Sequence, residues 1–170
     1  MRGDRLALRG LNLAGLAALC ALAAPAALAQ APAERHGAWE KRCETPPGAA
    51  GPQCYVAQTV VADERPNLPI VVIALATADR KARIIRFIAP LGVLLPGGLG
   101  LNVGGQDFGA ANYVRCLPNG CVAEAEIDDK LMAKLKGSAS ATLKVFQTPE
   151  EGIGVTLPLD GFKEAFEALP

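Results

Sequence analysis

Apolar and polar positions alternate along most of this chain in short runs. Residues 54–61, 83–89 and 141–146 have the β-branched and aromatic content that is typical of β-strands, and residues 39–43 alternate between two faces. Residues 70–76 are apolar throughout, which predicts a buried strand. The same reasoning predicts further strands at 39–43, 91–95, 99–103, 110–116, 121–127 and 154–159. Sequential strands joined by tight turns predict an antiparallel β-sandwich or barrel rather than a parallel sheet.

Two short helices are expected to interrupt this all-β pattern. The first begins after an N-cap at Asp128 and ends near Gly137, and the second begins after an N-cap at Asp160. Each helix has apolar residues on one face, which are Leu131, Met132 and Leu135 in the first and Phe162, Phe166 and Leu169 in the second.

The segment 87–106 contains no charge and is long enough to suggest a transmembrane helix. Its two prolines and six glycines argue against a helix. A hairpin explains them better, with strands at 91–95 and 99–103 around a turn at 96–98. We therefore expect no transmembrane segment in the mature chain.

The N-terminus has the organisation of a secretory signal. Arginines precede the uncharged, Leu- and Ala-rich segment 11–28, and the small residues Ala27 and Ala29 suit a signal peptidase. A membrane anchor is the alternative, and Pro25 favours cleavage over it. We expect residues 1–29 to be removed after Ala29, so that the mature chain begins at Gln30 in the periplasm or outside the cell. Residues 30–38 then form a flexible lead-in, and residues 39–170 form a single domain.

Four cysteines remain after removal of the signal: Cys43, Cys54, Cys116 and Cys121. An even count in an exported domain predicts disulfides. Three pairings are possible, and we expect Cys43–Cys54 and Cys116–Cys121 because each pair is close in sequence. The turn signal Asn119-Gly120 places the second pair across adjacent strands. A four-cysteine zinc site is the alternative, but the spacings do not match the usual paired knuckles.

The charge balance excludes some partners. The chain has 17 basic and 17 acidic residues. The predicted signal contains more basic than acidic residues, so its removal leaves a slightly acidic mature domain. Nucleic acid is therefore not expected as a partner. Arg80, Lys81, Arg83 and Arg86 form one basic cluster, which is a candidate interaction surface for an anionic partner.

The sequence contains no established catalytic or metal-binding motif. His36 is the only histidine and falls in the lead-in, and neither serine lies in a nucleophile motif. The glycines of residues 97–105 match no phosphate-binding motif and are expected in turns. Glu124 and Glu126 lie two apart on a predicted strand and could serve a glycosidase, or could bind Ca²⁺ together with Asp128. A solvated strand face followed by a helix cap explains them more simply.

Several blocks of sequence resemble a known family. They are PLGVLLPGGLGLNVGG (90–105), RCLPNGCVAE (115–124), FQTPEEG (146–152) and LDGF (159–162), with a W-x-x-x-C pattern at Trp39 and Cys43. Together they resemble the invasion-associated locus B family over nearly all of the mature chain. The resemblance implies an exported protein of α-proteobacteria with an immunoglobulin-type β-sandwich. The founding member is linked with entry into red blood cells, and the family supplies no catalytic residues to transfer.

These observations lead to one functional expectation and two alternatives. We expect an exported, non-catalytic interaction module of the bacterial envelope without a cofactor, whose partner is a protein, an envelope component or a host surface. The first alternative is an envelope glycan hydrolase that uses Glu124 and Glu126. The second is a purely structural envelope component, which the sequence does not separate from an interaction module.

Overall fold

The computed structural model describes residues 33–49, 51–62 and 65–170. The predicted signal peptide and its cleavage site between Ala29 and Gln30 lie outside the described residues. The described chain forms ten strands and two helices. In chain order they are β1 (Glu34–His36), β2 (Trp39–Glu44), β3 (Gln53–Ala62), β4 (Arg65–Ala76), β5 (Arg83–Ala89), β6 (Leu99–Val103), β7 (Gln106–Leu117), β8 (Gly120–Glu126), α1 (Asp129–Gly137), β9 (Ser140–Phe146), β10 (Gly152–Pro158) and α2 (Phe162–Glu167).

The strands form an antiparallel arrangement in the order β1-β2-β3-β4-β5-β8-β7-β6-β9-β10. Layer A contains β1 to β5, β8 and the second half of β7, and layer B contains β6, β9, β10 and the first half of β7. The long strand β7 joins the two layers, because residues 106–111 pair with β6 and residues 112–117 pair with β8. The predicted antiparallel β-sandwich with two short helices is confirmed.

The core lies between the two layers. Strand alternation places Ile70, Val72 and Phe87 of layer A inside, together with Leu143 and Leu157 of layer B, and all five side chains are fully buried. Burial of an aliphatic or aromatic side chain of this size contributes about 1.5–3 kcal/mol. The hydrophobic effect at this interface therefore supplies the main stabilisation of the fold.

The helix α1 begins as the sequence predicts. The Asp128 carboxylate accepts a hydrogen bond from the backbone N–H of Leu131 at 2.7 Å, which is the N-cap contact. Leu131, Met132 and Leu135 are buried against the sandwich. The prediction for this helix is confirmed in both its cap and its buried face.

The start of α2 differs from the prediction, because Asp160 does not cap it. Gly161 occupies the cap position with φ +77°, and no side chain caps the helix. A Cβ at Gly161 would lie 2.1 Å from the His36 carbonyl oxygen, so only glycine lets the chain pass so close to β1. The Asp160 carbonyl instead accepts a hydrogen bond from the Ala38 N–H at 3.3 Å.

This contact also corrects the expectation that residues 30–38 are a flexible lead-in. Within the described residues, Glu34–His36 pairs with β2 as a regular strand. Its sequence has little strand propensity. The hairpin is held from outside, by the backbone contact with Asp160 and by Trp39, whose ring lies 4.9 Å edge-on from that of Phe162.

The predicted hairpin over residues 91–103 is wrong in its first half. Residues 91–95 form a loop, and β6 pairs with β7 and β9 instead. Gly92, Gly97 and Gly98 all have positive φ, and the flanking prolines lack an N–H for a ladder. The next hairpin has a two-residue turn at Pro118 and Asn119, one residue earlier than the Asn-Gly turn predicted.

Because the strands are antiparallel, the connections fall alternately at two ends of the sandwich. The loops 90–98, 118–119 and 147–151 lie at one end, which we call the loop end. The turns 77–82 and 104–105 lie at the other end, where α1 and α2 also join the strands. Loops at the end of a rigid sandwich are where binding residues are most often found.

Candidate functional site

Both disulfides join residues that lie opposite each other on neighbouring strands. Cys43 pairs with Cys54 across β2 and β3, and Cys116 pairs with Cys121 across β7 and β8. The Cα atoms are 4.0 and 3.9 Å apart, respectively. The pairing is the one that the sequence predicts, and bonded sulfurs are not available as zinc ligands. On the loop-entropy model the bonds contribute about 3 and about 2 kcal/mol.

The structure divides the predicted basic cluster. Arg80 and Lys81 are exposed in the turn between β4 and β5. Arg83 donates to the carboxylate of Asp129 at 2.7 Å. Arg86 points to the outer face of layer A, where its guanidinium contacts the Glu124 carboxylate at 2.7 Å. The four side chains therefore do not form one basic surface, and only the turn residues stay candidates for an anionic partner.

The carboxylate pair gives no support to a glycosidase. Glu124 is half-buried and held by Arg86, whereas Glu126 is exposed at the end of β8. Glu126 and Asp128 border a pocket of about 100 Å³, and Glu124 does not line it. Ligand pockets usually measure about 300–1,000 Å³. The two acids therefore do not face a common cleft that could hold a sugar ring.

His36 has a structural partner. Its ring Nε2 lies 3.0 Å from the carboxylate of Glu34, and the Lys41 ammonium donates to the same carboxylate at 3.1 Å. The hydrogen bond from Lys41, followed by that from His36, holds the pKa of Glu34 below its usual range. The Lys41–Glu34 contact joins β2 to β1, whereas the His36–Glu34 contact lies within β1. Within the described residues no group of three His, Cys, Asp or Glu side chains is arranged to hold a metal ion.

A buried hydroxyl appears that the sequence did not indicate. The Tyr113 oxygen on β7 has no hydrogen-bond partner among the described residues. Desolvation by burial raises the pKa of Tyr113 to about 12. The cause is burial alone, which is a structural effect and not the signature of a catalytic pair.

Exposed leucines gather at the loop end. Leu91 and Leu95 in the loop 90–98 are 58% and 44% exposed, and Leu117 at the tip of the β7–β8 hairpin is 43% exposed. Register places the two loops at the same end of layer A, because Ala89 pairs with Cys121 and Leu117 pairs with Gly120. Residues 91–95 were predicted as a strand, so this surface was not expected from the sequence. The Pro and Gly residues on both sides are the signal that could have revealed it.

The outer face of layer A is also apolar. Its centre consists of half-buried or buried aliphatic side chains that point away from the core, and we call it the outer apolar face: Val71, Ile73, Leu75, Ile84, Ile88 and Val122. Arg86 and Glu124 lie among them as an ion pair. On layer B the outward positions of β9 are instead Ser140, Thr142 and Lys144, all exposed.

No described helix is long and apolar enough to cross a membrane. The uncharged segment 87–106 ends β5, forms the loop 90–98 and continues into β6 and the start of β7. Its apolar residues therefore belong partly to the core and partly to the loop end.

Comparison with known proteins gives a consistent result. The profile of the family described as "Invasion associated locus B (IalB) protein" matches residues 39–170. The fold is similar to the crystal structure of invasion associated protein B from Bartonella henselae, with a TM-score of 0.63 and 21% identity, over 78% of this chain and 92% of that one. No curated protein matches the chain. The extent of the profile match shows that this chain belongs to the invasion-associated locus B family.

Proposed function

We propose that this protein is an exported, non-catalytic interaction module of the bacterial envelope that binds a protein partner, in the envelope or on a host surface, through its loop end. The observation that carries the proposal is the group of three exposed leucines, Leu91, Leu95 and Leu117, on two loops of one end. Exposed large apolar side chains that gather in one place mark interaction sites more often than scattered ones do.

The loops that carry these leucines are fixed to the sandwich, so the surface is preorganised. Val93 is buried between the exposed leucines, and the Leu94 N–H donates to the Phe146 carbonyl at 2.6 Å. The Cys116–Cys121 bond fixes the base of the hairpin that presents Leu117. A rigid surface loses less conformational entropy on binding than a mobile one, which favours affinity.

Export is supported by the same disulfides. Two bonded pairs form readily in an oxidising compartment and are rare in the cytosol. The family match adds a link to proteins named for invasion, and the Bartonella henselae protein carries that term in its title. A role in contact with a host cell is one form that the proposed interaction takes.

Site-specific photo-crosslinking tests the proposal. A photoreactive amino acid replaces Leu91, and the matched control replaces Ala133, which is exposed on α1 at the other end. We expect the Leu91 variant to crosslink one discrete partner in intact cells. The Ala133 variant should not crosslink it, and Leu117→Asp should reduce the yield. Equal products from both positions, or none from Leu91, would contradict binding through the loop end.

N-terminal sequencing of the same purified protein tests export separately. We expect the chain to begin at Gln30 and to contain no free thiol. A protein that retains residues 1–29 and whose five cysteines are all reduced would contradict the exported form, whatever the crosslinking shows.

A further inference from the structure

The outer apolar face has the composition of a buried surface but is only partly covered in the described chain. Between Leu68 and Leu75 on β4 and between Ile84 and Ala89 on β5, the inward side chains are buried, and the outward ones are aliphatic with one exception, Arg86. An antiparallel sheet with one face in water usually alternates apolar and polar residues. A strand that is apolar on both sides is typical of sheets that are covered on both faces. The helices pack against β1, β2, β3 and β6.

Four of the charged side chains on this face are already paired within the chain. Arg86 is neutralised by Glu124 at 2.7 Å, and Arg42 at the edge is neutralised by Glu40 at 2.8 Å. Neither of these two ion pairs requires a counter-ion from a partner. A paired ion is also tolerated in a buried interface, whereas a lone one is costly.

One row across the sheet is complementary to itself. Arg42 on β2 pairs with Tyr55 on β3, and the register of β3 and β4 places Leu75 of β4 next in this row. Leu75 pairs with Ile84 on β5, which in turn pairs with Glu126 on β8. Arg42 and Glu126 therefore lie about 10 Å to either side of β4, two strand spacings each. Glu126 has no ion-pair partner among the described residues.

We propose that the outer apolar face is the interface of a symmetric homodimer whose two-fold axis runs parallel to β4. Such an axis packs Ile73 of one copy against Ile73 of the other, in an aligned sheet-on-sheet contact. It places Arg42 of each copy opposite Glu126 of the other, so each Arg42 guanidinium bridges Glu40 of its own chain and Glu126 of the other chain. The neighbouring row brings Glu40 opposite Glu124, and each of these carboxylates is already bound by an arginine of its own chain.

The size of the face agrees with this assembly. The five strands from β2 to β8, with the adjoining half of β7, span about 24 Å at about 4.8 Å per spacing, and six residues extend about 20 Å. The projected area is roughly 500 Å², and the accessible area is larger because the side chains make the surface uneven. A standard interface buries about 800 Å² per partner, so the face suits a dimer of moderate affinity. The proposal depends on layer A alone and is independent of the proposed function of the loop end.

Charge exchange tests the proposed axis directly. We expect sedimentation equilibrium of the exported, disulfide-bonded protein to show a dimer with a micromolar Kd. Arg42→Glu and Glu126→Arg should each raise Kd about tenfold, because each creates two like-charge contacts. The double variant should restore the original Kd. An equimolar mixture of the two single variants should form a heterodimer with a Kd near the original.

A central substitution tests the face itself. Ile73→Lys places two ammonium groups on the axis and should raise Kd about 100-fold, with Thr142→Lys on the outer face of layer B as the matched control. Thermal unfolding of each variant checks that it folds. If Ile73→Lys does not fold, the Kd of Glu126→Arg provides the test instead. A protein that stays monomeric up to about 1 mM, where association is too weak to matter, overturns the proposal. A dimer whose Kd is unchanged by Ile73→Lys and by the charge exchanges also overturns the proposal.

Discussion

The two layers of the sandwich differ in their outer faces. On layer B, β9 alternates strictly, with Ala141, Leu143 and Val145 buried and Thr142 and Lys144 exposed. On layer A, residues 68–75 of β4 and 84–89 of β5 are apolar on both sides apart from Arg86, although only the inner side forms the core. A pattern with one apolar face describes a surface covered by water. A strand with two apolar faces indicates that another molecule or segment covers the outer one. The hydrophobic pattern therefore carries information about assembly as well as about fold.

The largest effect should separate the two faces of β4. Val72→Asn places an amide in the core and removes packing, so we expect the free energy of unfolding to fall by about 3–5 kcal/mol. Ile73→Asn on the outer face should cost about 1 kcal/mol or less at concentrations where the protein is monomeric. Urea unfolding of both variants measures the difference. Equal losses would show that the outer face is part of the monomer core.

The disulfides should give the next largest effect, and both lie in layer A. Replacing Cys43 and Cys54 by alanine should lower the free energy of unfolding by about 3 kcal/mol, and replacing Cys116 and Cys121 by about 2 kcal/mol. Denaturant unfolding of the two double variants gives the comparison. If replacing Cys116 and Cys121 lowered the free energy of unfolding more than replacing Cys43 and Cys54, the Cys116–Cys121 bond would act mainly on the native geometry of the hairpin and not on loop entropy.

Tyr113 lies on the strand that the layers share, and its hydroxyl provides a pH-dependent test. Burial raises the pKa of Tyr113 to about 12, so the unfolded chain loses this proton at a lower pH than the folded one. The stability due to the neutral phenol is complete below about pH 10 and is lost as the pH rises towards 12.

The control for this test is Tyr113→Phe. It should remove that part of the alkaline loss and add about 1 kcal/mol at neutral pH, because the buried hydroxyl has no partner among the described residues. Unfolding curves from pH 8 to 11.5 for the two proteins provide the measurement, and parallel curves would contradict the assignment to Tyr113.

The smallest effects should come from charges on the two outer faces. A double-mutant cycle on Arg86 and Glu124 should give a coupling of about 1 kcal/mol, because both side chains are about one-third exposed or less. On layer B the Lys144 ammonium lies 5.2 Å from the ring centre of Phe146, and this exposed pair should give about 0.5 kcal/mol. A stronger coupling on layer B would reverse the expected order.

The sequence predicted those elements that local chemistry specifies. The bounds of β5 are the predicted ones, because its β-branched and aromatic residues and the charged turn before it define both the strand and its start. The cap at Asp128 defined α1 in the same way. Residues 91–95 were assigned wrongly to a strand because a run of apolar residues indicates burial but does not distinguish a strand from a loop. β1 was missed because the hairpin that it forms with β2 is held by a backbone hydrogen bond from Ala38 to Asp160, which is distant in sequence.

The candidate surfaces were predicted less well, for a related reason. Arg83 and Arg86 are close in sequence, but their spacing of three places them on opposite faces of a strand. Period-two reasoning could have separated them beforehand. The outer apolar face, by contrast, could not be predicted without the register of the sheet. The sequence of one strand does not show which residues of the neighbouring strands lie beside its apolar residues.

The sharing of β7 between the layers has a consequence for how the protein opens. Residues 106–111 hydrogen-bond in one layer and residues 112–117 in the other, so separating the layers requires breaking a ladder at one end of this strand. The two halves therefore cannot act as independent cooperative units. Amide hydrogen exchange should show similar, slow rates for the central strands of both layers, since all of them exchange only through global unfolding. A protease at low concentration would then meet either the intact sandwich or the fully unfolded chain.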